Sequence, residues 1–395
     1  MLFRSTGVYH IPALDLQVES VLTNTVPVAP YRGAGRPENI YNLERLIDVA
    51  ARQVGLDAIE LRRRNMIPSD AMPYRNAVGQ VYDSGDFRHI LGRTLELADW
   101  AGFEARRRAS IGNGKLRGRG ISTFLEWTGG DAFTEKVRVR VEAGGRIRIW
   151  SATQAMGQGL ETSYMQLAAE QFGVRMDAIE ILQGDTDVVT GIGSIGSRSL
   201  FVGGAAVVSG AEKTIEAGRE RAATLLEAAA QDIVYAAGRY AIAGTDRAVS
   251  LFELAGREPG AVLQVDADFT VGGASWPNGC HLCEVEIDRD TGVIVLDRFT
   301  AVDDVGNPVN PMIVGGQIHG GIAQGVGEAL MERIVYDPSS AQLVTGSLMD
   351  YCVPRADDLP DITRALDTSQ PCRVNPLGAK GCGESGTVEI GRAHV

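Results

Sequence analysis

The chain has 395 residues, is 44% hydrophobic and 22% charged, contains 48 glycines and carries a formal net charge of −12. At about 150 residues per domain, this length predicts two or three domains with a sizeable core, and the hydrophobic content excludes a disordered chain. The acidic balance argues against a nucleic-acid partner, no apolar run is long enough to span a bilayer, and five scattered cysteines do not make a disulfide scaffold.

In chain order, residues 19–29 are β-branched and read as extended. The segment Pro30-Tyr-Arg-Gly-Ala-Gly-Arg-Pro-Glu38 is a glycine-rich turn, with Pro37 set to open a helix over 38–54 that Gly55 ends. A short helix at 57–64, a loop at 68–87 and a helix at 87–108 follow. Leu116–Trp127 and Glu135–Trp150 read as strands. In the second, Val137, Val139 and Val141 alternate with charged residues, and Gly144-Gly145 makes a hairpin turn. A helix from Leu160 to Phe172 ends at Gly173, and Ile179–Leu182 is a short strand. A polar, glycine-rich loop runs to Ser199, and an alanine-rich helix spans about 200–236. Strands at 262–270, 279–287 and Val293–Asp303 precede a helix, Val314–Leu330, that contains six glycines. This alternation predicts an α+β fold of mixed and antiparallel sheets with packed helices.

The two ends read differently from the rest. Met1-Leu-Phe-Arg-Ser5 is encoded by GTGCTCTTCCGATCT read from a GTG start, and Ile390-Gly-Arg-Ala393 with the first base of the His394 codon by the reverse complement of that string. Unrelated protein ends have no physical reason to be reverse complements. Residues 1–5 and 389–395 are therefore expected to derive from a sequencing adapter, and are set aside from fold reasoning. The natural stretch is expected to be Thr6–Val388, cut from a longer chain. The lack of a leader then says nothing about export. A reduced, cytoplasmic compartment is the default expectation.

Several motifs carry possible chemistry. Gly191-Ile-Gly193-Ser-Ile-Gly196 matches a dinucleotide-binding fingerprint, but Gln183–Thr190 separate it from the preceding strand, and Glu212 lies on a helix. Cys280-His-Leu-Cys283 has zinc-like spacing, but no second pair follows, so buried strand cysteines are expected. The acidic pairs Asp303-Asp304 and Asp185/Asp187 read as turn residues. More telling are four glycine-rich segments, each with a polar side chain beside glycines: Arg32, Gln158, Gln317 with Gln324, and Glu384. Glycine permits close backbone approach, and helix-opening N–H groups suit an anion. Together they predict a large anionic ligand embraced by several loops.

Five segments resemble, in order, the molybdenum-binding large subunit of the xanthine dehydrogenase/aldehyde oxidase/carbon monoxide dehydrogenase family. They are Tyr31-Arg-Gly-Ala-Gly-Arg-Pro-Glu38, Met156-Gly-Gln-Gly-Leu-Glu-Thr162, Gly184-Asp-Thr-Asp187 with Gly196-Ser-Arg-Ser199, Asp304-Val-Gly-Asn-Pro-Val-Asn-Pro311 with Gly316-Gln-Ile-His-Gly-Gly321, and Gly378-Ala-Lys-Gly-Cys-Gly-Glu384. The resemblance implies a molybdopterin cofactor, commonly the cytosine dinucleotide form in bacterial members. Its metal is held by the pterin dithiolene, so no direct protein metal ligand is expected. It also implies cofactor contacts from Arg32, Gly33, Gln158, Gly159, Ser197, Arg198, Ser199, Gln317, Lys380, Gly381 and Gly383, with Ala34 facing substrate. Glu384 stands where the family has its catalytic base, taking a proton from a Mo–OH group as a water-derived oxygen attacks substrate and a hydride passes to Mo=S.

Electrons would leave through iron–sulfur and FAD centres on partner subunits or domains, in a dimer of heterotrimers. Carbon monoxide dehydrogenases carry a copper-binding cysteine where this chain has Gly33, which disfavours CO. Purine hydroxylases carry a phenylalanine at the Ala34 position, and alanine leaves that wall open. An aldehyde or a different aromatic heterocycle is the expected substrate. Residues 6–90 are expected to end one molybdopterin-binding domain, and 91–388 to form most of a second. Because an earlier glycine loop of the family is missing, this stretch alone is not expected to hold cofactor stably or to be active. The competing readings are a non-catalytic nucleotide- or partner-binding relative and a Rossmann-type NAD-dependent dehydrogenase.

Overall fold

A computed structural model of the protein describes residues 6–388; both ends read above as adapter-derived lie outside the described residues. The elements are, in order, α1 (Arg36–Val54), α2 (Ala58–Asn65), β1 (Tyr74–Arg75), β2 (Val81–Tyr82), α3 (Phe87–Leu97), α4 (Phe103–Gly112), β3 (Lys115–Leu125), β4 (Thr134–Glu142), β5 (Arg146–Ser151), α5 (Leu160–Phe172), β6 (Ile179–Gln183), α6 (Ala205–Leu226), β7 (Ile233–Ala236), β8 (Arg239–Ile242), β9 (Ala248–Ser250), α7 (Leu251–Ala255), β10 (Val262–Thr270), β11 (Asn278–Asp288), β12 (Ile294–Asp304), α8 (Pro311–Leu330), β13 (Ile362–Asp367) and α9 (Ser385–Val388). The α+β expectation holds.

Two four-stranded sheets carry the fold, in the orders β10-β4-β5-β6 and β13-β12-β11-β3. In the first, the alternation along β4 sends Val137, Val139 and Val141 into the core, opposite Ser151, Ile149 and Ile147 of β5. Each buried valine contributes about 1.5–3 kcal/mol of apolar burial. Helices α5 and α6 cover that face. α6 approaches so closely that a Cβ on Gly210 would lie 2.7 Å from a Val137 methyl. In the second sheet, β11 is buried on both sides over most of its length. Cys280 and Leu282 of β11 pack in the cluster that includes Ile90 and Leu91 of α3, while Cys283 and Val285 join Val314, Ile318 and Ile322 of α8. The loops that follow β5, β6 and β12, together with the segment before α9, converge on one cleft.

The structure departs from the sequence reading in four places. The 87–108 helix breaks at Asp99, which turns left-handed (φ 52°) and caps a short turn by accepting from Gly102 N–H at 3.2 Å. The long alanine-rich helix starts at Ala205, after a π-turn, and stops at Leu226; Ile233 and Val234 instead pair with Ile242 and Ala241 in a three-stranded sheet, β7-β8-β9. Residues 19–29 form no strand, and Val21, Leu22 and Val28 are exposed. An extended run needs a neighbouring strand to accept its N–H groups, and none lies beside it among the described residues. Asp303 and Asp304 are not turn residues. They end β12 fully buried, Asp303 hydrogen-bonded to His281 Nε2 at 3.1 Å and Asp304 in an ion pair with Lys380.

Candidate active site

The cleft holds about 500 Å³ and is lined by the 156–160 loop, the 194–200 loop, the first turns of α8, Arg32 and the 380–384 segment. Local rules build each wall. Gly159 is left-handed (φ 71°) and N-caps α5. A Cβ there would lie 2.7 Å from Ile313 of α8, so the glycine lets the two elements meet. Gln158 folds back on its own turn, its carboxamide accepting from Met156 N–H at 2.5 Å and donating to Gln154 O at 2.8 Å. Ser199 donates to Ser194 Oγ at 2.8 Å, tying the two ends of the 194–199 turn.

Arg32 rises from a turn in which Gly33, Ala34 and Gly35 are all left-handed (φ 103°, 48° and 84°). Ala34 is a strained member of that run, because its Cβ is disfavoured there by about 1–2 kcal/mol. Pro37 closes the turn so tightly that a Cβ on Gly33 would lie 2.7 Å from its ring. The Arg32 guanidinium spans the cleft floor. It donates to Gly383 O (2.5 Å), Gln324 Oε1 (3.0 Å), Gln317 O (3.0 Å) and Gln317 Oε1 (2.9 Å). One side chain thus clamps α8 to the 380–384 segment. Burial lowers its proton affinity, and nearby Cys382, Glu126 and Glu384 oppose that shift.

Glu384 stands at one end of the cleft with its side chain 16% exposed. Arg36 donates to its Oε2 at 2.5 Å, and Gly33 N–H to its Oε1 at 3.4 Å. Its own N–H donates to Ser197 Oγ at 3.0 Å, and that hydroxyl lies 3.5 Å from Oε2. Ser197, left-handed at φ 56°, also donates to Glu126 Oε1 at 2.8 Å. Burial pushes the Glu126 carboxyl up to about 8, and the Glu384 charge adds to the shift. Burial likewise raises the Cys382 thiol to about 12.

Most of the residues singled out in the sequence therefore meet at one place. Arg32, Gln158, Ser197, Ser199, Gln317, Lys380, Gly381, Gly383 and Glu384 all line the cleft, while Gly33, Ala34, Gly159 and Arg198 are not among its lining residues. Two side-chain roles need correction. The Arg198 side chain is fully buried and donates to Glu135 Oε2 (2.7 Å), Gly193 O (2.7 Å), Ala132 O (3.0 Å) and Thr134 O (3.0 Å), so it braces the loop from inside rather than reaching a ligand. The Lys380 ammonium turns away to Asp304 Oδ2 at 2.6 Å. Arg36 and Glu126 were not singled out. Arg36 sits inside the quoted Tyr31–Glu38 run. Glu126 had one signal, a carboxylate ending the apolar run Phe124-Leu125.

The Gly191–Gly196 run opens no nucleotide-binding strand–turn–helix, and Glu212 is exposed on α6. Cys280 and Cys283 are buried on β11, and neither is in a disulfide. Among the described residues, no group of three or more His, Cys, Asp or Glu is arranged to hold a metal ion, and no helix is long and apolar enough to cross a membrane.

Comparison with known proteins bears on this cleft. Residues 93–360 match a family model described as a molybdopterin cofactor-binding domain, and residues 1–66 match a second model of the same description. The chain is similar to the 6-hydroxypseudooxynicotine dehydrogenase complex subunit gamma of Paenarthrobacter nicotinovorans, at 33% identity over 98% of this chain and 50% of that protein. It is also similar to the carbon monoxide dehydrogenase large chain of Hydrogenophaga pseudoflava, at 34% identity over 96% of this chain and 50% of the relative. Among solved structures, quinoline 2-oxidoreductase from Pseudomonas putida 86 superposes with a TM-score of 0.89 and 34% identity, covering 97% of this chain and 51% of that one. The chain spans about half the length of the curated relatives it matches.

Proposed function

Because the chain belongs to the molybdopterin-binding large subunits of the xanthine oxidase family, we propose that its cleft holds a molybdopterin and that Glu384 is the general base of a hydroxylation. The lining suits such a group. Carboxamides, hydroxyls and a guanidinium surround side-chain-free backbone at Gly157, Gly196, Gly381 and Gly383, which supplies donors for a pterin and a phosphate. Arg32, Gln158, Ser197, Ser199 and Gln317 would hold it directly. Gly33, Gly159, Lys380, Gly381 and Gly383 would shape the backbone around it, and Arg198 would brace the loop. When bound, the cofactor supplies a redox centre that takes up the two electrons of the oxidation.

The observation that carries the reading is the setting of Glu384. Its carboxylate is held at the cleft end by Arg36 and the Gly33 N–H, 16% exposed and oriented before any substrate arrives. There it takes a proton from the attacking water-derived oxygen, while Arg32 fixes the Gly383 carbonyl next to it. The substrate is an aldehyde or an aromatic heterocycle. The names of the similar proteins that act on nicotine-derived and quinoline rings favour the heterocycle. In the complete protein, Glu384→Gln keeps the cofactor and loses about 10²–10⁴ in turnover. Molybdenum content and steady-state rates check this, and turnover within about tenfold of wild type rejects the base.

The same reading places the cytosine dinucleotide form in the cleft and the iron–sulfur and FAD centres on partner subunits, with a cytoplasmic dimer of heterotrimers as the assembly. It divides the chain near residue 90 between two molybdopterin-binding domains.

A further inference from the structure

Glu126 has no part in the reading above, yet it is the most deeply buried carboxyl beside Glu384. It directly follows β3, 0% exposed, with its N–H donated to Pro277 O at 2.8 Å. Its Oε1 accepts from Ser197 Oγ at 2.8 Å, and its Oε2 is buried without any hydrogen-bond partner. The same Ser197 oxygen receives Glu384 N–H and lies 3.5 Å from Glu384 Oε2. One hydroxyl therefore stands between two carboxyls.

We propose that Glu126, Ser197 and Glu384 form a two-carboxyl unit in which Glu126 holds the one shared proton, leaving Glu384 as the ionised member. The charges facing the pair choose the site of the proton. From α1, Arg36 gives its hydrogen bonds to Glu384 Oε2 and Trp127 O, which favours an ionised Glu384, while its charge also opposes, without overcoming, the effect of burial on Glu126. Arg32 also faces Glu126, but its donors go to Gly383, Gln317 and Gln324. From the 380–384 segment come the Glu384 charge and the Cys382 thiol, which stays protonated, while the Lys380 ammonium is paired with Asp304.

Burying a carboxylate costs several kcal/mol, and a like charge alongside adds to the cost. Burial is the largest reason that Glu126 is pushed up to about 8; the Arg36 charge works against it, and the Glu384 charge adds to it. The pair accordingly titrates as a unit. Glu126 is a positioning residue. By keeping the proton, it keeps the neighbouring base free to accept one. That consequence rests on Glu384 being the base, whereas the protonation of Glu126 does not.

The test is an infrared pH titration of the complete protein, cofactor-free and loaded, following the C=O stretch that a carboxylic acid has and a carboxylate lacks. Wild type is expected to show an acid signal that titrates near pH 8 and is missing in Glu126→Gln. In Glu384→Gln the midpoint falls by on the order of one pH unit, because a like charge is gone. In Ser197→Ala it rises, because a hydrogen bond to the ionised form is gone. In the loaded enzyme, the alkaline inflection of kcat disappears in Glu126→Gln. An acid signal that persists in Glu126→Gln, titrates in the ordinary carboxyl range, or ignores Glu384→Gln overturns the proposal. Full turnover in Glu384→Gln with the infrared pattern intact removes the base assignment and leaves the shared proton standing.

Discussion

Arg198 offers the sharpest test of how the cleft is braced. Its guanidinium makes four hydrogen bonds of 2.7–3.0 Å, to Glu135 and to the carbonyls of Ala132, Thr134 and Gly193, with both charged side chains 0% exposed. Replacing it by alanine strands a buried carboxylate that retains a 3.1 Å bond from Lys136 N–H, and leaves three carbonyls without this donor. Breaking a buried pair on one side costs about 3–5 kcal/mol, dominated by the uncompensated charge. Arg198→Ala should therefore lose that much in denaturant unfolding. Adding Glu135→Gln should recover a sizeable part, since the stranded charge is then removed. Because Arg198 holds Gly193 O from inside the 184–199 loop, hydrogen exchange of that loop should rise even at denaturant concentrations where the rest stays protected. A loss under about 1 kcal/mol, or no recovery in the double variant, would refute the argument that this ion pair anchors the loop.

Two further variants probe the supports of Glu384. Gly321 of α8 faces α9 so closely that a Cβ would lie 2.7 Å from Gly386 Cα, which is backbone and cannot rotate away. Gly321→Ala should cost about 1–3 kcal/mol in thermal or denaturant unfolding and displace the 384–388 segment; an unchanged unfolding curve contradicts this packing. Lys380→Met removes the cation bound to Asp304, whose carboxyl burial already holds above its ordinary range. Since the folded state binds that proton more tightly than the unfolded chain, this group's contribution is fully present below about pH 4 and declines as pH rises through its folded value. Without Lys380 that folded value moves higher still. The variant's penalty should be about 3–5 kcal/mol at pH 7 and shrink toward pH 4. An equal penalty at both pH values would show that Asp304 does not titrate in the way its surroundings dictate.

Much of this protein was legible in its sequence, where the controlling forces are local. Gly159 and Gly173 bound α5 because only a left-handed glycine makes those caps without cost. The Val137-Val139-Val141 alternation fixed both the β4–β5 hairpin and its buried face. The glycine-rich runs beside Arg32, Gln158, Gln317 and Glu384 pointed to a shared ligand, and their side chains do line one cleft. Where periodicity carried no partner, the reading failed. The 19–29 run has strand composition but no neighbour to pair with. The alanine-rich stretch beyond Leu226 has helix composition, but its isoleucine and valine find a sheet.

What only tertiary structure decided is where each charge spends itself. Arg198 and Lys380 lie in loops that sequence assigns to ligand contacts, yet burial beside Glu135 and Asp304 commits both inward. Glu126 and Ser197 are 71 positions apart, and Ser197 and Glu384 are 187 apart. Nothing local links them. Sequence fixes which backbone can turn and which face is apolar, because those preferences act over a few residues. Which carboxyl is ionised depends on the guanidinium, hydroxyl and solvent within a few ångströms of it, and that neighbourhood exists only after the chain has folded.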